Sequence, residues 1–278
     1  MPANPKTVLI TGAAGGIGAA ATRRLTQRGF TVYAGVRSPA PHLDANEGIR
    51  TLHLDVTDAE SIREAAGLIS AEAGSLHALV NNAGVIVQGP LELVPASELR
   101  RQFEVNVFGP AQVTAAFLPL LRAGRGRIVN ISAPTARVAV PFMGPISASK
   151  SALESLTDAL RGELATWKIP ISVIQPSAVD TPIFATAGRA AAESLATAPE
   201  ELLALYAPAM AALAEAGAKM KLSPVDPVVE AIVDAVESRR PRTRYTVGRD
   251  AKTAAVLARL PVGLRTSLVL RALGIKSA

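Results

Sequence analysis

The chain has 278 residues, 49% apolar and 19% charged, which is enough hydrocarbon for a sizeable core and excludes disorder as its main state. It has no cysteine and only three histidines (His42, His53 and His77), so disulfides, a thiol nucleophile and thiolate metal sites are excluded and no metal is expected. The formal charge of +6 is uneven: residues 239–278 hold ten Lys or Arg against one acid, Asp250, so the basic balance belongs to a tail and no nucleic-acid face is expected.

Short apolar, β-branched runs alternate with helical patterns along most of the chain. Val8–Thr11 reads as a buried strand and Gly15–Arg28 as a helix closed by Gly29. Thr31–Val36 and Ile49–Asp55 follow as strands, then a helix over Asp58–Ala73. Ala78–Asn81 is a fourth strand before a long helix over Ser97–Leu121. Arg127–Ser132 is a fifth, followed by a helix over Ser147–Trp167, and Ser172–Pro176 is a sixth. Such runs suit a parallel sheet covered on both faces, and repeated right-handed strand–helix units give a doubly wound α/β fold. Residues 184–224 break the rhythm. They are Ala-rich, punctuated by Pro199, Pro208 and Pro224, and are expected to form a helical lid. A helix over Asp226–Ser238 and an edge strand at Arg244–Val247 follow. We expect one domain over residues 1–250 and an apolar, Arg-studded extension over 251–278. That extension could lie on a membrane surface; packing on its own domain or on a neighbour is preferred. No run of about 18 apolar residues and no apolar signal core precede or interrupt the pattern, so a cytoplasmic protein is expected.

Thr11-Gly12-Ala13-Ala14-Gly15-Gly16-Ile17-Gly18 joins the first strand to the first helix. Small residues let backbone approach a pyrophosphate, and the helix N-terminus offers free N–H groups to the anion. At the end of the second strand an acid would bind ribose hydroxyls and repel a 2′-phosphate. Val36 stands there, followed by Arg37 and Ser38, so NADP(H) is favoured over NAD(H). The plain alternative is that Arg37 is a solvated loop charge.

Together with Leu54-Asp55-Val56, Asn81-Asn82-Ala83-Gly84, Asn106, Ile128–Ser132, Ser147-Ala148-Ser149-Lys150 and Pro176–Thr181, this loop resembles the short-chain dehydrogenase/reductase family over about residues 6–250. The resemblance implies a Rossmann-like fold and cofactor-binding roles for Thr11, Gly12, Gly16, Ile17, Gly18, Arg37, Ser38, Asp55, Val56, Asn82, Ala83, Gly84, Lys150, Pro176, Val179 and Thr181, with Asn81 beside the ribose. It implies that Asn106 holds a helix kink and that Lys150 meets the nicotinamide ribose. It implies a homodimer or homotetramer built on the helices near 97–121 and 147–167. Ser177 replaces a glycine usual after Pro176.

The chain departs from the family where its acid and oxyanion anchor belong. Four residues before Lys150 the family has tyrosine and this chain has Ile146; thirteen before that it has serine and this chain has Ala133. Neither side chain here has a proton to give, and losing one oxyanion donor costs ~10²–10³ in rate. Ser132, Ser147, Lys150, a water on Asn106 and, more remotely, Tyr206 are candidate substitute donors, so Asn106, Lys150 and Ser132 form the expected catalytic set. Ala133, Phe142, Met143, Ile146, Ile183, Phe184 and Tyr206 would line a pocket for an apolar substrate. Three readings remain at this point: reduction of an imine, iminium or activated C=C bond; binding of NADP(H) or another ligand without turnover; and non-redox catalysis in the same pocket.

Overall fold

The structure, a computed structural model, describes residues 6–44 and 47–275. Seven strands form one parallel sheet in the order β3-β2-β1-β4-β5-β6-β7, with β1 Thr7–Thr11, β2 Thr31–Val36, β3 Ile49–His53, β4 Ala78–Asn81, β5 Arg127–Ile131, β6 Ile171–Pro176 and β7 Arg244–Val247. The order reverses between β1 and β4, which opens a crevice at their carboxyl ends. Alternate strand residues serve opposite faces. Val8, Ile10 and Val80 join one buried cluster with α1 (Gly16–Gln27) and α9 (Asp226–Glu237), whereas Leu9 and Leu79 join the other. That second cluster is covered by α3 (Ala59–Ala73) and α5 (Gly109–Ala123). Both faces are dry, so the strands carry continuous apolar runs rather than alternating polarity.

The remaining helices are α2 (Pro41–Asp44), α4 (Ala96–Phe103), α6 (Gly144–Glu163), α7 (Ile183–Leu195), α8 (Glu200–Ala218), α10 (Arg249–Leu257) and α11 (Val262–Ala272). Three boundaries differ from the sequence expectation. The long helix expected over Ser97–Leu121 is two helices joined by a π-turn at Glu104–Phe108. The sixth helix starts at Gly144, because Pro145 in its first turn has no N–H to lose. The third strand stops at His53, where Leu54 leaves the ladder and Asp58 caps α3 by accepting the Glu60 N–H at 2.9 Å. Among the described residues no helix is long and apolar enough to cross a membrane.

Candidate active site

The glycine-rich loop turns on backbone that only glycine takes easily. Gly12 has φ +63°, and a Cβ there would lie 2.8 Å from the Ala83 Cα. A Cβ on Gly18 would meet the Gly12 carbonyl oxygen at 2.4 Å, so the loop doubles back tightly over the start of α1. No side chain caps that helix at Gly15, which leaves its first N–H groups for an anion. Thr11 and Asn82 hold the loop from below. The buried Thr11 hydroxyl accepts the Asn82 and Ala83 N–H groups, both at 3.0 Å. The Asn82 amide donates to the Thr11 and Gly12 carbonyls at 3.0 and 3.1 Å. Their side chains therefore shape the cradle and are themselves already bonded. Asn81 is turned into the core, where its amide donates to Thr114 at 3.1 Å and Asn130 at 2.9 Å; it does not reach the ribose side. Val56 is buried against Gly109.

Thr181 arrives from the segment after β6, and its methyl occupies the space a Cβ on Gly16 would need. Val179 is buried beside it, bridged to Ser223, and Pro176 ends β6. Ser177 is accommodated by Gly248, whose φ is +93° and where a Cβ would overlap the serine hydroxyl. That hydroxyl also accepts the Ala251 N–H at 3.2 Å, so the departure from glycine fastens α10 to the sheet. On the other wing, Arg37 and Ser38 are exposed after β2. Burial pushes the Asp55 carboxyl up, but the Thr57 N–H and hydroxyl, with Arg37 and His53 nearby, outweigh it and hold it below the usual range. An open helix terminus, a backbone cradle and an exposed guanidinium fit a phosphorylated dinucleotide.

The wide turn at 104–108 carries Asn106, fully buried. Its amide accepts the Val85 N–H and donates to the Val85 carbonyl, both at 2.9 Å, as another strand would. Gln102, one turn earlier, takes the Val87 N–H at 2.7 Å and gives its amide protons to the Val85 carbonyl and the Ser149 hydroxyl. Two side-chain amides thus clamp the edge of the extended segment 85–87 that follows β4. Gln102 was missed in the sequence reading, although its spacing from Asn106 places both on one helix face.

Lys150 lies beside this edge. Its ammonium donates to the Ile131 carbonyl at 2.7 Å and stands 3.8 Å from where a Cβ on Gly84 would be, with the Asn106 amide oxygen at 3.4 Å from that same point. Burial drives its pKa down to about 8, with Glu154 pulling the other way. Ile146, one turn before it on α6, is buried. Ala133 leaves β5 partly exposed into the turn Pro134–Ala136.

Ser132 does not join this group. Its hydroxyl donates to Glu154 at 2.6 Å inside the core, because neighbouring residues at a strand end point to opposite sides. Glu154 also accepts from Gln175 at 2.7 Å and pairs with Arg244, a buried network that ties β5, α6, β6 and β7. Ser147 is likewise committed, bonding the Met143 carbonyl at 2.7 Å. The hydroxyl candidates from the sequence are therefore spent on structure.

Phe142 has φ +63°, and its carbonyl accepts the Gly89 N–H at 2.7 Å, which fixes the approach to α6. Its ring meets Tyr206 of α8 edge to face at 6.3 Å. The Tyr206 hydroxyl donates to Glu92 at 2.7 Å, which raises its pKa; this tie fastens α8 to the segment carrying Glu92 and does not offer a proton inward. Ile183 and Phe184 open α7 on the same side as Thr181, Ile183 exposed and Phe184 half-buried. Met143 caps the start of α6.

Comparison with known proteins agrees with this fold. A family model described as short chain dehydrogenase matches residues 6–192. The chain is 35% identical over 252 residues to 3-amino-tetrahydro-pyrrolizinone reductase of Xenorhabdus hominickii, covering 89% of this chain and 88% of the relative. It is 33% identical over 272 residues to mouse (Mus musculus) retinol dehydrogenase 5, covering 91% and 83%. Among solved structures, a short chain dehydrogenase from Burkholderia cenocepacia J2315 in complex with NADP superposes with a TM-score of 0.74 at 28% identity, covering 95% of this chain and 98% of the other.

Proposed function

The chain belongs to the short-chain dehydrogenase family, and from that premise we propose that it is an NADP(H)-dependent oxidoreductase that reduces a C=N or conjugated C=C bond of an apolar substrate, with Ile146 and Ala133 where the family resemblance implies a tyrosine and a serine. The observation that carries the reading is the pairing of Ile146, buried hydrocarbon one turn from Lys150, with a buried lysine that keeps its place beside Asn106 and Gly84. When bound, NADPH would supply a hydride to the electrophilic carbon. Gly12, Gly16, Gly18 and Thr181 would hold its phosphates, and Arg37 with Ser38 its 2′-phosphate. Ile146 and Ala133 would exclude water and offer no hydrogen bond to a ketone oxygen, so an alkoxide would go unstabilised there. Addition to a C=N carbon builds no alkoxide, and Lys150 would release one proton to the nitrogen; addition to the β-carbon of an enone would leave a carbanion that takes its proton from water at the α-carbon. A buried ammonium held to about 8 is acidic enough for transfer to the nitrogen and remains mostly charged at neutral pH.

Retinol, named for one relative, is an apolar alcohol, and Phe142, Ile146, Ile183 and Phe184 would offer apolar contacts to a substrate of that kind. The proposal includes a homo-oligomer through α5 and α6, where Phe108 beside α5, Leu156 and Trp167 stand exposed.

The test is NADPH consumption by purified protein offered cyclic imines, enones and matched ketones. Imines or enones should turn over, imines with a limb that falls above pH ~8 as Lys150 loses its proton, and ketones should lag by ~10² or more. Ala133→Ser with Ile146→Tyr should raise ketone reduction ~10²-fold. Wild-type turnover of ketones as fast as imines, or silence across the panel with NADPH demonstrably bound, overturns the reading.

A further inference from the structure

The C-terminal pair α10–α11 leaves the carboxyl edge of the sheet directly after β7, beside the site. Helix α10 is fastened there by Ala251, buried under Ser177, and packs against the turn Pro134–Ala136 that follows Ala133. Helix α11 is different: none of its residues is buried. Val269, Leu270 and Leu273 turn a half-buried side inward, whereas Val262 and Leu264 stand 66% and 52% exposed and Leu268 follows Leu264 by one turn. Packing on its own domain therefore does not account for Val262, Leu264 and Leu268.

Its charges decide what could cover it. Lys252, Arg259 and Arg271 are exposed, and no ion pair among the described residues takes them up. Asp250 is the one acid from 239 to the end. A twofold contact between copies would set these cations against their own images, which is repulsive. A nucleic acid would match the charges and leave the leucines and valines wet. A bilayer surface with anionic headgroups satisfies both, since leucine and valine side chains sink below the headgroups while arginines pair at their level. We infer that the exposed face of α11, with the flanking basic residues of α10, docks the protein on an anionic lipid surface. The inference stands on exposure and charge and does not depend on the redox reading above.

Flotation of the full chain with liposomes tests it. At low salt the protein should float with phosphatidylcholine vesicles containing roughly a third phosphatidylglycerol, and not with phosphatidylcholine alone. Salt near 0.5 M, a condition of about half molar, should strip it off, because screening shortens the reach of surface charge. Arg259→Gln with Arg271→Gln should weaken binding about 25-fold, about fivefold for each arginine lost. Leu264→Asp with Leu268→Asp should abolish flotation with an unchanged far-ultraviolet spectrum and melting temperature. Absence of flotation on the anionic vesicles, or binding untouched by both pairs, overturns the inference. So does sedimentation showing that the leucine pair splits an oligomer into smaller species, which would make this face a contact between copies.

Discussion

Burying the Lys150 ammonium removes hydration that one carbonyl, that of Ile131, returns only in part. The fall of its pKa from 10.5 to about 8 expresses that cost, roughly 3 kcal/mol at its upper bound. The folded value lies below the unfolded one, so between pH ~8 and ~10.5 the unfolded chain holds more protons and stability rises with pH. The penalty is present in full below pH ~8. We therefore expect Lys150→Met to stabilise the cofactor-free protein at pH 7 by ~1–3 kcal/mol, with the gain shrinking toward pH 10, while reductase activity is lost. Urea unfolding of both proteins at the two pH values reads it. A variant that loses stability equally at both would show that Lys150 is held for packing alone. The glycine loop was legible in the sequence because it answers a local demand, close backbone approach, whereas Asn106 and Lys150 entered only through the family resemblance. Ser132 misled for an equally local reason. It adjoins Ala133, and one step along a strand end reverses the side on which a hydroxyl falls.

At the level of elements, the sheet was readable because β-branched runs covered on both faces have few alternatives. The π-turn was not, since its cause is two side-chain amides, Gln102 and Asn106, bonding an extended segment that lies 15 to 21 residues earlier. Glu154 and Arg244 were hidden similarly: a polar residue on an amphipathic helix reads as solvated until the partner strand is in place. The segment over residues 184–224, expected to form a helical lid, carries α7 and α8. Its base is anchored where Ser223 exchanges hydrogen bonds with Ala178 and Asp180, at 2.8 and 2.9 Å. Helix α8, however, buries no residue, and Pro208 interrupts its ladder. Low burial makes such a segment open locally at small free-energy cost. Among the described residues the Tyr206–Glu92 bond is the side-chain hydrogen bond from α8 to the body of the protein. Tyr206→Phe keeps the ring against Phe142 and deletes the bond. It should speed proteolytic cleavage of α8 several-fold and leave the melting temperature within a few degrees, since an exposed hydrogen bond contributes little to global stability. Unchanged cleavage would place the restraint elsewhere in the segment.

Across the whole molecule the two edges of the sheet are built for opposite ends. The carboxyl edge carries open donors and a strained approach at Phe142; the amino edge is closed by contacts to α9. There the His77 ring lies 5.8 Å from Phe30, and its Nε2 donates to the Val236 carbonyl at 3.2 Å. Arg127 donates to the Ser238 carbonyl at 2.7 Å beside it. Burial first, then the neighbouring charges of Arg127 and Lys6, push the His77 pKa down to about 4. The folded protein thus resists a proton that the unfolded chain takes up near pH 6.5. The stability associated with neutral His77 is present above about 6.5 and is lost as the pH falls toward about 4. The ring is only partly buried, so solvent screening trims the effect to roughly 1–2 kcal/mol between pH 7 and 5. Urea titrations at these two values should show that loss, and His77→Phe, which keeps an aromatic ring beside Phe30, should flatten it. Because His77 lies on the edge opposite Lys150, binding of NADPH at pH 7 should add stability equally to both proteins; acid sensitivity that persisted in His77→Phe would assign the loss to carboxylates instead.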